Sequence, residues 1–311
     1  MKNLSIIMPF LNEDLEPIHT IQSIYDTIDV NNFEIIAIDD ASDKKLDLNF
    51  SDVKLIQNKK RLGVDACRQI GVEVADSKCL LILDAHMRFK RDNWASKIIN
   101  CIDKEPNTAW CTTCLGLGYG SMDINKPKGK YYGATLLFVD PSSNPNRPSR
   151  ECLEPKWITK DIKKTEIEYE IPCILGANYG FSKDWFTYIR GLRGLKSWGS
   201  SEPFLSLKTW LAGGKCKITT DIEIGHKFRD DAPYVTQISD LYYNKLYICG
   251  TMLSMNLSKK IIDCLPKNIN YKRAVEEIVK NKKDLEESKE YYKSIFKMNI
   301  QDYCRKFNLH I

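Results

Sequence analysis

The chain has 311 residues, with 46 Lys and Arg against 41 Asp and Glu, a net charge of +5, 43% hydrophobic and 28% charged residues. That length can bury a large core, and the composition is that of an ordinary globular protein, not a disordered or fibrous one. The mild positive balance admits an anionic substrate such as a nucleotide without requiring nucleic acid. The opening Met1-Lys2-Asn3-Leu4 runs into a strand-like stretch instead of a signal peptide. The longest apolar candidate, Leu246 to Met255, contains Gly250 and falls short of the roughly 20 residues that cross a bilayer. A soluble, unsecreted, cytoplasmic protein without stable membrane insertion is therefore expected. Eleven cysteines in such a chain imply no disulfide framework. Cys67, Cys79, Cys101 and Cys173 sit in or beside apolar runs and read as buried thiols. Cys111 and Cys114 have C-x-x-C spacing, but no second ligand pair lies nearby, which argues against zinc.

Leu4 to Phe10 reads as the first strand of a parallel sheet. Asp14 is placed to cap the next helix, whose Ile18, Ile21, Ile24 and Ile28 recur at helical spacing. Phe33 to Ile38 is a second strand, ending in Asp39-Asp40-Ala41-Ser42-Asp43, and Val53 to Gln57 is a third. A basic turn, Asn58 to Gly63, leads into a helix with Val64, Cys67, Gly71 and Val74 on one face. Cys79 to Leu83 is a short apolar run of strand length, which reads as a buried parallel strand. This order is a doubly wound α/β pattern. It carries neither G-x-G-x-x-G after the first strand nor a Walker A sequence. Phosphate charge on a ligand would then be met by metal or side chains instead of a glycine loop.

Asn93 to Ile102 reads as a helix, with Ala109 to Leu117 and Tyr131 to Val139 as antiparallel strands. Pro141 to Pro148 is a loop by composition. The chain from Gly118 to Pro172 and the tail from Ile238 match no motif. Ile171 to Phe181 carries Gly176-Ala177-Asn178-Tyr179-Gly180, and Lys183 begins a helix. Gly191 to Gly199 is glycine-rich and basic. Glu202 to Ala212 reads as an amphipathic helix ended by Gly213-Gly214, and Lys217 to Ile224 as a strand. From Ile238 the chain reads as helical, with mixed charges over Tyr271 to Lys306 typical of an exposed appendage.

Ligands in open α/β sheets sit at the carboxyl ends of strands. Asp84 and His86 follow the fourth strand on alternate positions, so both side chains can face one side. Of four histidines, His226 also follows a strand. Asp84, His86 and His226 form a nitrogen-and-oxygen set suited to Mn²⁺; the bland alternative is satisfied surface histidines.

Ser5-Ile6-Ile7-Met8-Pro9-Phe10-Leu11-Asn12-Glu13, then Ile38 to Asp43, then Leu83-Asp84-Ala85-His86 resemble the catalytic domain of a nucleotide-sugar glycosyltransferase of the GT-A fold. They are most similar to the polypeptide N-acetylgalactosaminyltransferase family, whose metal motif is D-x-H. Trp198-Gly199, Trp210-Leu211-Ala212-Gly213-Gly214 and Gly225-His226-Lys227-Phe228-Arg229 with Pro233-Tyr234 agree, over roughly residues 4 to 236. The resemblance implies a mixed, mostly parallel α/β sheet flanked by helices over residues 1–237, with a helical C-terminal extension over 238–311. It implies Mn²⁺ or Mg²⁺ on Asp84, His86 and His226, and a UDP-sugar donor contacted by Pro9, Asp39, Asp40, Arg61, Asp84, Gly176, Ala177, Trp198, Arg229 and Tyr234. Asp40 or Asp39 would meet the uracil. Arg229, Tyr234 and Trp198 would close over the donor.

After Trp198-Gly199 the family places a glycine and then a glutamate, whereas this chain has Ser200-Ser201-Glu202. The family's membrane anchor and lectin domain find no counterpart, so a bacterial or viral relative is expected. The implied reaction is metal-dependent transfer of a hexose or N-acetylhexosamine from a UDP-sugar to an acceptor hydroxyl, with retention. Asp84, His86 and Arg229 are the expected catalytic groups, and Glu202 is the candidate base should the reaction invert. The acceptor (glycan, protein or nucleic acid) and the oligomeric state stay open. The competing readings are a viral DNA-base glycosyltransferase, a sugar nucleotidyltransferase and a silent scaffold that binds nucleotide-sugar.

Overall fold

All seven residues of β1 (Leu4–Phe10) and of β2 (Phe33–Asp39) are buried, as expected of strands covered on both faces. The computed structural model describes residues 2–118, 122–139, 152–161, 163, 165–229 and 231–310. The Pro141–Pro148 stretch lies outside them. The first half runs β1, α1 (Glu16–Thr27), β2, β3 (Val53–Gln57), α2 (Val64–Val74), β4 (Cys79–Leu83) and β5 (Met87–Phe89). Strand β1 pairs in parallel with β2 and with β4, and β2 with β3. Helix α2 lies so close to β1 that a Cβ on Gly71 would come within 2.4 Å of Ile7.

The chain continues through α3 (Trp94–Lys104), β6 (Thr108–Leu117), β7 (Gly129–Tyr131), β8 (Ala134–Leu137), β9 (Glu154–Trp157), β10 (Glu168–Glu170), β11 (Asn178–Ser182), α4 (Lys183–Tyr188), α5 (Ser201–Leu211) and β12 (Lys215–Lys227). The main sheet has the order β10-β12-β6-β11-β4-β1-β2-β3, with β5 on β12 and β7 on β6. Antiparallel β11 joins the parallel half at β4 to the parallel pair of β6 and β12. Between Thr219 and Glu223 the register of β12 shifts. Beyond this bulge, which bends the strand, β12 also pairs with β5 and sets His226 opposite Met87.

Three local expectations are corrected. Asp14 does not cap α1. Its backbone is left-handed at φ 48°, the N-cap is Leu15, and no side chain caps the helix. The strand expected over Tyr131 to Val139 is divided, because Gly133 turns at φ 77°. Its first part pairs with β6 as β7, and its second part pairs with β9 in a separate two-stranded sheet. Helix α5 is not amphipathic in its surroundings, since all its residues except Glu202 are buried, Lys208 included. The C-terminal helices cover the face that its polar residues would turn to water.

Those helices are α6 (Ile238–Met252), α7 (Met255–Cys264), α8 (Ile269–Lys280), α9 (Lys282–Ile295) and α10 (Ile300–Phe307). Tyr303 on α10 donates to the Pro172 carbonyl at 2.9 Å, and Phe307 packs edge-on to Trp210 of α5 at 5.0 Å. Buried side chains of α6, α9 and α10 join the same hydrophobic cluster as those of the sheet. Among the described residues no helix is long and apolar enough to cross a membrane.

Candidate active site

Strand β4 ends at Leu83, and the next residues turn across the carboxyl edge of the sheet. The Asp84 N–H donates to the Ala177 carbonyl at 3.1 Å, so the Gly176-Ala177 turn before β11 abuts the acid. His86 enters β5, and the β5–β12 pairing places His226 beside it. The two Nε2 atoms are 3.1 Å apart, and His226 Nε2 is 3.3 Å from Asp84 Oδ2. One ligand atom from each of the three residues lies within 4.8 Å of the others. Two imidazole nitrogens bound near a right angle to one ion, each at roughly 2.1 Å, would stand about this far apart. The donor set therefore fits a divalent cation.

The charge around the cluster is compensated from the protein side. Arg68 of α2, with its side chain 5% exposed, donates to Asp84 Oδ1 at 2.9 Å and sits 3.5 Å from Asp65 Oδ1. Its guanidinium lies over the Tyr179 ring. Burial opposes ionisation of Asp84, but the hydrogen bond from His226 and the charges of Arg68 and His86 outweigh it and hold the carboxyl well below the usual range. Burial lowers the pKa of His226. Glu13, 6% exposed, lies 3.3 Å from His86 Nδ1 and 2.5 Å from Arg229 Nη1.

A cavity of about 430 Å³ opens over this edge, a size typical of small-molecule sites. Pro9, Asp40, Arg61, Gly176, Ala177, Trp198, Glu202, Arg229 and Tyr234 line it together with the three candidate ligands. Asp39, also expected here, does not line it. Its buried carboxylate accepts the Ser42 N–H at 2.8 Å and holds the turn after β2. Asp40 accepts from Asn58 Nδ2, the Leu62 N–H and the Gly63 N–H at 2.8–2.9 Å, which ties the basic turn to the cavity wall. Arg61 donates to the Val235 carbonyl at 2.9 Å and its guanidinium stands 5.1 Å from the Tyr234 ring centre. The segment after β12 is thereby folded back over the opening. Trp198 stays 39% exposed on the rim.

Glu202 reaches across the first turn of α5 so closely that a Cβ on Gly176 would come within 2.1 Å of its carboxylate. A side chain at Gly176 would displace the Glu202 carboxylate. Burial pushes Glu202 up to about 7 against the pull of Arg68, and burial likewise pushes Asp65 up to about 6. Where the resembled family has its glutamate, Ser201 donates to Asp65 Oδ1 at 2.6 Å. A carboxylate of α2, Asp65, is thereby held between Ser201 of α5 and Arg68.

A family description, Glycosyl transferase family 2, matches residues 5–189, more than half of the chain. The chain belongs to glycosyl transferase family 2. Within that family's range of sequences it is 27% identical over 243 residues to polypeptide N-acetylgalactosaminyltransferase 3 of Taeniopygia guttata, covering 74% of this chain and 38% of that protein. It is 25% identical over 246 residues to polypeptide N-acetylgalactosaminyltransferase 10 of Homo sapiens, covering 75% of this chain and 39% of that protein. The chain thus spans well under half the length of these relatives. The crystal structure of GalNAc-T7 with UDP, GalNAc and Mn²⁺ superposes with a TM-score of 0.75 at 20% identity, covering 98% of this chain and 57% of that one. Residues 1–349 of S. aureus TarS in complex with UDP-GlcNAc give 0.53 at 12% identity, covering all of this chain and 93% of that one. The fold is GT-A, with C-terminal helices added to it.

The structure of this family 2 chain also brings in residues that the sequence reading left without a role. Arg68 and Asp65 announce themselves only as charges at the start of a helix whose apolar face must be buried. Glu13 stood inside a recognised motif, but nothing local tied it to His86 or Arg229. Trp157 and Phe228, packed edge-on at 5.6 Å, form an aromatic wall beside His226. Trp157 comes from a short edge strand with no periodic signature.

Proposed function

We propose that the protein is a metal-dependent glycosyltransferase that moves a hexose or N-acetylhexosamine from a UDP-sugar to an acceptor hydroxyl with retention. The observation that carries this reading is the convergence of Asp84, His86 and His226 on one point at the floor of the cavity. The likeness to proteins named as N-acetylgalactosaminyltransferases, and to a fold seen with UDP, GalNAc and Mn²⁺, supports the donor class.

In this reading Asp84, His86 and His226 hold Mn²⁺ or Mg²⁺, which supplies positive charge to the diphosphate as it leaves. Asp40 sets the turn from Asn58 to Gly63 against the base and ribose end. Arg229 adds a preorganised cation at the diphosphate. Arg61 and Tyr234 hold the segment at 231–236 over the donor, which excludes water and limits hydrolysis. The Gly176-Ala177 turn leaves room for the sugar beside Arg68 and Glu202. Retention follows the resemblance to the D-x-H family, and the polar groups near the sugar, Glu202 and Ser201, are the ones that would read its hydroxyls.

The test is UDP release by the purified protein from a panel of UDP-sugars, with Mn²⁺ and with chelator. Release from one or a few donors that stops with chelator is the expected result and names the sugar. Pyrophosphate release instead of UDP would convert the reading to nucleotidyl transfer. Failure to bind UDP with or without Mn²⁺ would overturn it.

A further inference from the structure

Among the described residues, Glu13 is the one carboxylate within salt-bridge distance of both His86 and Arg229. Its Oε2 lies 3.3 Å from Nδ1 of His86 and 2.5 Å from Nη1 of Arg229. The two contacts have different chemistry. The imidazole edge turned to Glu13 is opposite the Nε2 that faces His226 and Asp84. A neutral imidazole that ligates through Nε2 carries its proton on Nδ1, and a carboxylate there fixes tautomer and ring orientation. Arg229 lies two residues past the end of β12 and precedes the segment at 231–236 that lines the cavity. Its contact to Glu13 is a charge-assisted pair in a nearly dry position.

The backbone around Glu13 is built to keep that side chain inward. Both its neighbours, Asn12 at φ 54° and Asp14 at φ 48°, are left-handed, a conformation that costs a residue with a Cβ and persists where the surroundings impose it. Asn12 is locked in place by a two-way amide pair with Asp43, with its side chain donating to Oδ2 and accepting the Asp43 N–H, each at 2.9 Å. Three residues on, Glu16 holds Lys227 and Arg88 at 2.7 and 2.8 Å. The end of β12 is thereby fixed independently, and Glu13 is left to the two functional groups. Burial opposes its ionisation, but His86 and Arg229 outweigh that and lower its pKa.

We propose that Glu13 is a positioning residue that couples the candidate metal site to the donor-covering segment: one carboxylate orients His86 for the ion and anchors Arg229, so occupancy of one side orders the other. This inference rests on the metal-site reading above. Linkage then requires that Mn²⁺ alone, without nucleotide, slow backbone exchange in residues 231–236, and that this effect pass through Glu13.

The experiment measures Mn²⁺ affinity by calorimetry and amide exchange of residues 231–236, with and without Mn²⁺. It uses wild type, Glu13→Ala, Glu13→Gln and Arg229→Met, with a thermal melt to establish folding. Glu13→Ala is expected to weaken Mn²⁺ binding by roughly 10–100-fold, to raise exchange in 231–236 and to abolish the Mn²⁺ effect on it. Glu13→Gln keeps an acceptor for His86 but loses the charge facing Arg229, so it loses less Mn²⁺ affinity than Glu13→Ala and raises exchange as much. Arg229→Met raises exchange while Mn²⁺ affinity stays within about threefold, as expected where only the loop anchor is lost. A folded Glu13→Ala that binds Mn²⁺ as wild type does, or that leaves 231–236 unchanged, overturns the coupling alone. Should Glu13→Ala not fold, unchanged exchange in Glu13→Gln overturns it equally. Wild type that binds no Mn²⁺ overturns the metal reading and the coupling with it.

Discussion

Arg68 at the cavity and Lys208 under the C-terminal helices are both buried cations, yet the protein treats them in opposite ways. Arg68 is flanked by Asp84 and Asp65 and faced by Tyr179. Lys208 has no carboxylate within salt-bridge distance among the described residues. Its ammonium donates to the Gly191 carbonyl and lies over the Phe204 ring. Burial, helped by Arg190, pushes its pKa well below the usual value. A buried charge survives where partners return what water supplied, and otherwise gives up its proton. The cavity keeps its buried charge paired with carboxylates, whereas the α5 interface buries a long side chain whose ammonium meets a carbonyl and a ring.

The sharpest test of that contrast is at Asp84, which belongs to the candidate cation site and pairs with Arg68. Asp84→Asn preserves volume but removes the ligand charge. It should cut donor turnover by about 100-fold or more and weaken Mn²⁺ binding at least as strongly. Turnover within threefold of wild type would detach the cluster from catalysis. Next in size is Arg68→Met, which leaves the buried Asp65 and the half-buried Asp84 without their cation. It should lower unfolding stability by about 3 kcal/mol in denaturant titrations. Adding Asp65→Asn should return part of that loss, and strict additivity would show that the two residues do not act together.

A third test uses pH. The Glu202 carboxyl titrates near 4.5 when unfolded and is pushed up to about 7 when folded. Between those values the folded state holds a proton that the unfolded state has released, so stability falls as pH rises through the window. Glu202→Gln should therefore be more stable than wild type by about 3 kcal/mol at pH 8, and the gain should vanish near pH 4. A pH-independent difference would mean that Glu202 is not the group responsible. The smallest effect is expected at Lys208. Its folded pKa lies below the unfolded one, so its burial costs stability while the unfolded chain is protonated there, and progressively less as pH rises toward the unfolded value. Lys208→Met should gain about 1 kcal/mol at pH 7, with donor binding unchanged. A loss instead of a gain would show that the lysine is a paired charge after all.

Legibility from the sequence followed locality. The strands through Leu83, the helices facing them and the edge positions of Asp84 and His86 are read from short-range periodicity, and the structure reproduces them. The ordered motifs led to the fold for the same reason, since each is a few consecutive residues. Three features escaped because their cause is distant. Asp14 is displaced as a cap because the turn is fitted around Glu13 and tied to Asp43. The strand beginning at Tyr131 divides at Gly133, whose positive φ sends its second half to β9. Helix α5 looks amphipathic until α10 covers it, so its polar residues end in the core. Asp65, Ser201 and Arg68 meet through the packing of α2 against α5, and no window of sequence contains both helices.

What the sequence by itself determined is therefore the α/β pattern, the family, and two of the three candidate ligands as a unit, because Asp84 and His86 are two residues apart on one strand end. The third candidate, His226, follows a strand far along the chain, and its nearness to the other two is a matter that only the tertiary structure decided. The bulge in β12 and its pairing with β5 bring His226 to 3.1 Å from His86 across 140 residues. The Glu13 link and the contact of Ser201 with Asp65 belong to the same class. Periodicity and motif order are properties of neighbours along the chain, whereas contacts across a sheet depend on register and packing, which are settled only when the whole core closes.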